Sequence, residues 1–264
     1  MEQNFLAGKT ALVTGGSRGI GRAVALKLAA AGASVVICGR TEETLNCTAE
    51  EIRAHGVSAW PQHADVSRLE DIDALFAAIE SGPGGIDILV NNAVTSSSAP
   101  FDELTDDMFR YHMDVKLMAY IRIARAALPM MQARGAGRVV NVGGMTARIV
   151  APLRMTNGVV NAGVANFTKQ FAGYAARYNV TVNCVHPGYT ATERVKQIFE
   201  REAKEHNTTL EAVVEQRTAD IPLGRIVAPE NVADAVMFFC SQWADMVTGQ
   251  SVAVDGGSGE SINY

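Results

Sequence analysis

Cysteine is scarce and unpatterned in this chain. Cys38, Cys47, Cys184 and Cys240 are the four in 264 residues. None stands in a C-x-x-C spacing, which argues against a zinc site or a disulfide framework and predicts ordinary buried thiols. Blocks of basic residues are absent too. Lys and Arg number 23 against 28 Asp and Glu, a net charge of -5, with no consecutive run of positive charge that would mark a partner as nucleic acid or an anionic membrane. No apolar run is long enough to span a bilayer, and the start MEQNFLAGKTALV has neither the charged nor the apolar region of a secretory signal. A cytoplasmic protein is expected. Repeats, low-complexity tracts and Pro/Ser-rich linkers are also missing, so residues 1–264 read as one domain. Nothing suggests a metal.

What is present is a regular alternation. Short apolar runs (TALVTG, SVVIC, VSAWPQ, IDILVNN, RVVNV, VTVNCVHPG, QSVAVDGG) are separated by helix-like stretches at 19–32, 41–55, 69–80, 105–134, 156–178 and 230–242. Strand and helix in alternation predict an α/β fold, a doubly wound parallel sheet with helices on both faces. The polar segment 190–225 is the one large departure, and its length suits a substrate lid.

The first strand runs into TGGSRGIG at 14–21. Gly15, Gly19 and Gly21 permit a tight turn and close backbone approach. The helix start through Ser17, Arg18, Gly19 and Ile20 offers free N–H groups and the positive dipole end to a pyrophosphate. After the second strand there is no Asp or Glu to hold a ribose 2'-hydroxyl. Arg40, with Arg18, is suited instead to clasp a 2'-phosphate, which favours NADP(H) over NAD(H).

TGGSRGIG, Asp65-Val66 after the third strand, Asn91-Asn92-Ala93 after the fourth, His186-Pro187-Gly188 after the sixth and the closing VTGQSVAVDGG together resemble the short-chain dehydrogenase/reductase family, in order and over nearly the whole chain. Within it the chain looks most like the 3-oxoacyl reductases. The resemblance implies a single-domain Rossmann fold in which Asp65 and Val66 hold the adenine. It places Asn92 and Ala93 along the cofactor, and the backbone near Gly188 and Thr190 at the nicotinamide. It also implies a homotetramer built on the helices at 105–134 and 156–178, whose Met118, Ile121, Ile123, Phe167 and Phe171 exceed what one buried face requires.

The family's chemistry needs a Tyr to exchange the proton and a Lys four residues on, one helical turn away. A Ser fixes the substrate oxygen, and an Asn on the preceding long helix supports a proton relay. Registered on the family pattern, this chain has Asn157 for the Tyr, Asn161 for the Lys, Gly144 for the Ser and Lys116 for the Asn. None of the six lysines has a Tyr four residues before it, so no shift of register restores the pair. Val94 replaces the usual Gly after Asn91-Asn92-Ala93 and narrows the space near the cofactor.

Few groups are placed to compensate. Lys116 suits an oxyanion, a substrate carboxylate or a base's role if burial lowers its pKa, and His112 lies one turn before it. Asn157 and Asn161 can orient a carbonyl but are poor proton donors. Thr146, Arg148, Arg154, Tyr189 and the serines at 96–98 border the family's pocket. The sequence therefore predicts an NADP(H)-binding oxidoreductase acting on a small-molecule carbonyl, alcohol or activated compound by a non-standard proton path. Two other readings stay open: a non-redox enzyme on the same scaffold, and a catalytically inactive NADP(H)- or ligand-binding subunit.

Overall fold

Seven strands, the five inner ones buried along most of their length, make one parallel sheet: β1 (Thr10–Thr14), β2 (Ser34–Gly39), β3 (Ala59–His63), β4 (Ile88–Asn91), β5 (Gly137–Val142), β6 (Val180–Pro187) and β7 (Ser251–Val254). Their order is β3-β2-β1-β4-β5-β6-β7. Near-continuous apolar strands such as ALV and VVIC need cover on both faces, and helices supply it. The computed structural model describes residues 4–259.

On one face α1 (Gly19–Ala30), α2 (Glu42–Arg53) and α9 (Pro229–Cys240) bury Val24, Leu28, Leu45, Ile52, Val232 and Phe239. On the other, α3 (Leu69–Ser81), α5 (Ala119–Ala133) and α6 (Met155–Ala175) bury Ile72, Leu75, Tyr120, Ile123 and Val164. The doubly wound parallel sheet expected from the sequence is the observed fold. Its chain order reverses between β1 and β4, which opens a crevice at the carboxyl ends of those strands.

The structure corrects four local readings. The helix expected over 105–134 is α4 (Asp106–His112), a π-helical turn (Met113–Met118) and then α5. The segment between β6 and α9 is not simply polar loop. It folds into α7 (Glu193–Glu205) and α8 (Leu210–Ala219), whose Phe199, Ala203 and Val213 form a small core with Tyr189 and Ile198. Cys47 is exposed, unlike the other three cysteines, because it lies off the apolar face of α2. Ile123 is fully buried in its own protomer and so is no surface for a neighbour. Phe167 and Phe171 are half-buried and stacked, 5.4 Å between centroids.

Among the described residues no helix is long and apolar enough to cross a membrane, and no cluster of His, Cys, Asp and Glu is placed to hold a metal ion.

Candidate active site

The crevice between β1 and β4 is lined by the glycine loop. Gly15 has a φ of +63°, a left-handed conformation that glycine adopts without strain. At Gly21 a Cβ would lie 2.1 Å from the Gly15 carbonyl oxygen, so only hydrogen fits where α1 crosses the loop. Arg18 precedes α1 with no side-chain cap, leaving the first amides of the helix free for an anion. A cradle that excludes even a methyl group and presents uncapped amides fits a dinucleotide's pyrophosphate.

Asn92 fastens this cradle. Its Nδ2 donates to the carbonyls of Thr14 (2.9 Å) and Gly15 (3.2 Å), and Thr14 Oγ1 accepts from the amides of Asn92 and Ala93. The side chain is thus committed to bracing the loop, a role that spacing alone did not reveal. Ser17 is held through its carbonyl by Thr48 Oγ1 at 3.2 Å, and Ile20 packs on the α1-side core. Arg18 is exposed.

Arg40 is largely exposed, 3.9 Å from Asp65 Oδ2, and donates to the Tyr111 hydroxyl at 3.4 Å. Asp65 accepts from the Ser67 amide and hydroxyl at 3.0 and 2.7 Å. Desolvation alone would raise the Asp65 pKa, but those hydrogen bonds, with Arg40 and Arg68 nearby, bring it below its ordinary value. Val66 is buried beside it.

At the far end of the crevice, Gly188 donates its N–H to the Val254 carbonyl and accepts from Thr190 Oγ1 at 3.0 Å. A Cβ at 188 would lie 2.9 Å from the Asp255 Cα. Two residues the sequence did not single out also reach the crevice. Thr192 lies against Gly19, so that a Cβ there would be 3.0 Å from its methyl. Arg194 Nη2 donates to the Val94 carbonyl at 3.0 Å.

The residues at 116, 144, 157 and 161 divide into a buried group and an outer one. Lys116, carried inward on the π-helical turn, is 5% exposed, and its Nζ donates to the Gly143 carbonyl at 2.8 Å. Burial lowers its pKa to about 7; nearby Cys184 raises it and Arg194 lowers it further. Gly144 follows, and a Cβ there would lie 2.7 Å from Asn161 Nδ2. That amide donates to Thr146 Oγ1 at 2.8 Å, while Asn161 Oδ1 is buried without a partner among the described residues. Such an acceptor is costly to leave alone, and it fits a hydroxyl such as a ribose would offer.

Asn157 is the outer member. Its Nδ2 donates to Ser96 Oγ (3.1 Å) and its Oδ1 accepts from Thr156 Oγ1 (3.4 Å). Thr156 Oγ1 is 3.2 Å from Ser97 Oγ, which is 3.0 Å from His112 Nε2. A continuous chain of exchangeable protons therefore joins His112 to Asn157. Burial and the neighbouring Lys116 charge both lower the His112 pKa.

His186, fully buried beneath Gly144, completes the inner group. Its Nδ1 lies 3.1 Å from both the amide nitrogen and the carbonyl oxygen of Gly144, and its Nε2 3.7 Å from Cys184 Sγ. Burial, then Arg148 and Lys116, push its pKa down to about 4. Lys116 and His186 between them pin the Gly143–Gly144 turn. The sequence flagged His186 only as part of a His-Pro-Gly motif; a histidine at the end of a buried strand was the available signal.

Comparison with known proteins places this geometry in a family. The model of the family described as enoyl-(acyl carrier protein) reductase matches residues 15–259. The chain is 33% identical over 256 residues to the NADPH-dependent reductase BacG of Bacillus subtilis, covering 96% of this chain and 99% of that one. It is 34% identical over 253 residues to the 3-oxoacyl-[acyl-carrier-protein] reductase FabG of Aquifex aeolicus, covering 96% and 98%. The solved structure of L-sorbose reductase from Gluconobacter frateurii, complexed with NADPH and L-sorbose, superposes with a TM-score of 0.95 at 30% identity over 99% of this chain and 100% of that one. With its seven-stranded parallel sheet, its glycine cradle and these relatives along nearly its whole length, the chain belongs to the short-chain dehydrogenase/reductase family.

Proposed function

We propose that this protein is an NADP(H)-dependent oxidoreductase of small carbonyl, alcohol or activated compounds in which Lys116 manages the proton that a tyrosine handles in the family pattern. The observation that carries this reading is the buried Lys116 ammonium, 2.8 Å from the Gly143 carbonyl and one residue from the position where a Ser would fix the substrate oxygen. Relatives named as NADPH-dependent reductases support the cofactor assignment. So does Arg40, placed where a 2'-phosphate would be met.

When bound, NADPH supplies a hydride. Gly15, Gly19, Gly21 and the first amides of α1 would hold its pyrophosphate; Arg40 and Arg18 its 2'-phosphate; Asp65 and Val66 its adenine. Asn161 Oδ1 would accept from the nicotinamide ribose, with Ala93, Gly188 and Thr190 beside it. Lys116, with a pKa of about 7, has a proton to give to a developing alkoxide near neutrality and tolerates losing it. The chain from His112 through Ser97 and Thr156 can resupply protons toward Asn157. The segment 190–225 acts as the substrate lid, and a cytoplasmic homotetramer remains the proposed state.

A second reading is favoured by one observation: Lys116 and Asn157 already have protein partners, Gly143 and the Ser96/Thr156 pair. Such a site would hold NADP(H) or a ligand without turnover. A Lys of lowered pKa also suits non-redox proton transfer or cyclisation. The test is NADPH binding by fluorescence quenching together with loss of reduced-nicotinamide absorbance against ketones, enones and quinones. Binding with consumption supports the oxidoreductase, and binding alone supports the silent subunit. Absence of binding overturns both. A variant carrying Lys116→Asn, Gly144→Ser, Asn157→Tyr and Asn161→Lys should reduce simple ketones faster than the parent.

A further inference from the structure

Several arginines lie at the carboxyl end of the sheet, and four of them are committed within the protein. Arg217 is paired with Glu202, Arg194 with the Val94 carbonyl, Arg148 with the Ser251 carbonyl, and Arg40 with Asp65 and Tyr111. Arg154, like the exposed Arg18 and Arg225, has no ion pair and no side-chain hydrogen bond among the described residues, but it is half-buried. Its one contact of note is with an aromatic ring, the Cζ lying 5.7 Å from the Tyr189 centroid. A guanidinium held only by such a contact keeps its N–H donors free, and their fork matches a carboxylate bidentately.

Arg154 also stands in a useful place. It ends the short 3-10 turn Pro152–Arg154 that leads into α6, whose first turn carries Asn157. The preceding Leu153 accepts at its carbonyl from the Ala99 amide at 3.0 Å. That contact ties the turn to the 96–98 loop, whose serines meet Asn157 and His112. Tyr189 follows Gly188 and packs into the small core of α7 and α8, so the ring that holds Arg154 joins the sheet end to the lid. Lys116 is less suited to an anionic group, being buried on the Gly143 carbonyl. In a chain of net charge -5, a half-buried cation without a counter-charge at the mouth of the cleft is a local feature that wants an anion.

We propose that Arg154 is a carboxylate-binding residue and that the preferred substrate is an oxo compound bearing a carboxylate. This rests on the oxidoreductase reading for the word substrate, but binding can be measured without turnover. The probes are 4-oxopentanoate and 4-oxocyclohexanecarboxylate, each paired with its methyl ester, titrated into the NADP+-loaded full-length protein by calorimetry. NADPH consumption is followed separately. At least one acid should bind about tenfold or more tighter than its ester, the scale of one charge-assisted hydrogen-bonded pair. Arg154→Gln should bring that acid to the level of the ester, and Arg154→Lys should fall between. Acids no tighter than esters in the parent protein, or a preference that survives Arg154→Gln, would overturn the assignment. Acid binding through Arg154 without NADPH consumption would leave the subsite standing and remove the oxidoreductase reading. Equal consumption of acid and ester would do the reverse.

Discussion

Gly144 and Asn161 are sterically coupled: a Cβ on residue 144 would lie 2.7 Å from Asn161 Nδ2, an amide already donating to Thr146 Oγ1. A side chain at 144 and the Asn161 amide therefore compete for the same space. The site's buried cation is Lys116, on the Gly143 carbonyl, and its hydroxyls are those of Ser96, Ser97, Thr146 and Thr156.

Gly144→Ser alone should destabilise the protein by about 1–2 kcal/mol, the ordinary cost of overfilling a packed site. Adding Asn161→Ala should recover part of that loss, with a coupling of at least about 0.5 kcal/mol. Urea denaturation of the parent, both single variants and the double variant measures it; additive losses would mean the two positions are independent.

Two substitutions separate the parts of the cofactor site. Gly21→Ala forces a methyl group into the Gly15 carbonyl and should weaken NADPH at least tenfold, by roughly the ~1.4 kcal/mol that each decade requires. Arg40→Gln should weaken NADPH by about ten- to hundredfold, the worth of hydrogen bonds to a charged group, and leave NADH nearly unchanged. Fluorescence titration with both nucleotides distinguishes a loss of cradle from a loss of 2'-phosphate recognition.

Much of this was legible from the chain. Apolar strands in alternation with helices dictated the sheet, and TGGSRGIG after a strand located the crevice. The residue types at 116, 144, 157 and 161 were visible. What they do to one another was not, because the Gly144–Asn161 contact joins elements far apart in chain order. Nor does the hydrophobic period reveal that Met113–Met118 is π-helical, since the wider turn still buries the same face. Asn92 was read as a cofactor residue because its commitment to Thr14 and Gly15 is a matter of side-chain direction. The helix α7 was within reach: Thr192 is an N-cap, with Val195, Phe199 and Ala203 following at helical spacing. The charge on its other residues obscured it.

His186 gives the fold an acid limit. Its pKa of about 4 in the folded protein lies below the ordinary value of about 6.5, so between those values the unfolded chain binds the additional proton. Stability conferred by the neutral imidazole is present above about pH 6.5 and lost as pH falls toward 4, by about 3 kcal/mol in all. Urea melts at pH 7 and pH 4.5 should show this fall, and His186→Gln should flatten it.

Lys116 contributes with the same sign in a higher pH window. Its pKa is depressed from 10.5 to about 7, so at pH 6 the folded protein holds a buried cation at a cost. That cost is relieved as pH rises from about 7 to 10, where the unfolded state alone stays protonated. Lys116→Met should raise the melting temperature at pH 6 by at least about 2 °C, on the scale of 1 kcal/mol for a chain of this size. The gain should shrink toward pH 10.

The central claim is that the buried Lys116 supplies the proton in NADPH-dependent reduction. It is tested most directly by the pH profile of NADPH consumption in the parent and in Lys116→Met, with the most readily reduced compound of a ketone, enone and quinone panel. The parent rate should decline as pH rises through about 7. The variant should lose about a hundredfold in kcat, within the range for general acid catalysis, while binding NADPH as tightly as the parent. A Lys116→Met protein that turns over at the parent rate with the same pH profile would contradict the account.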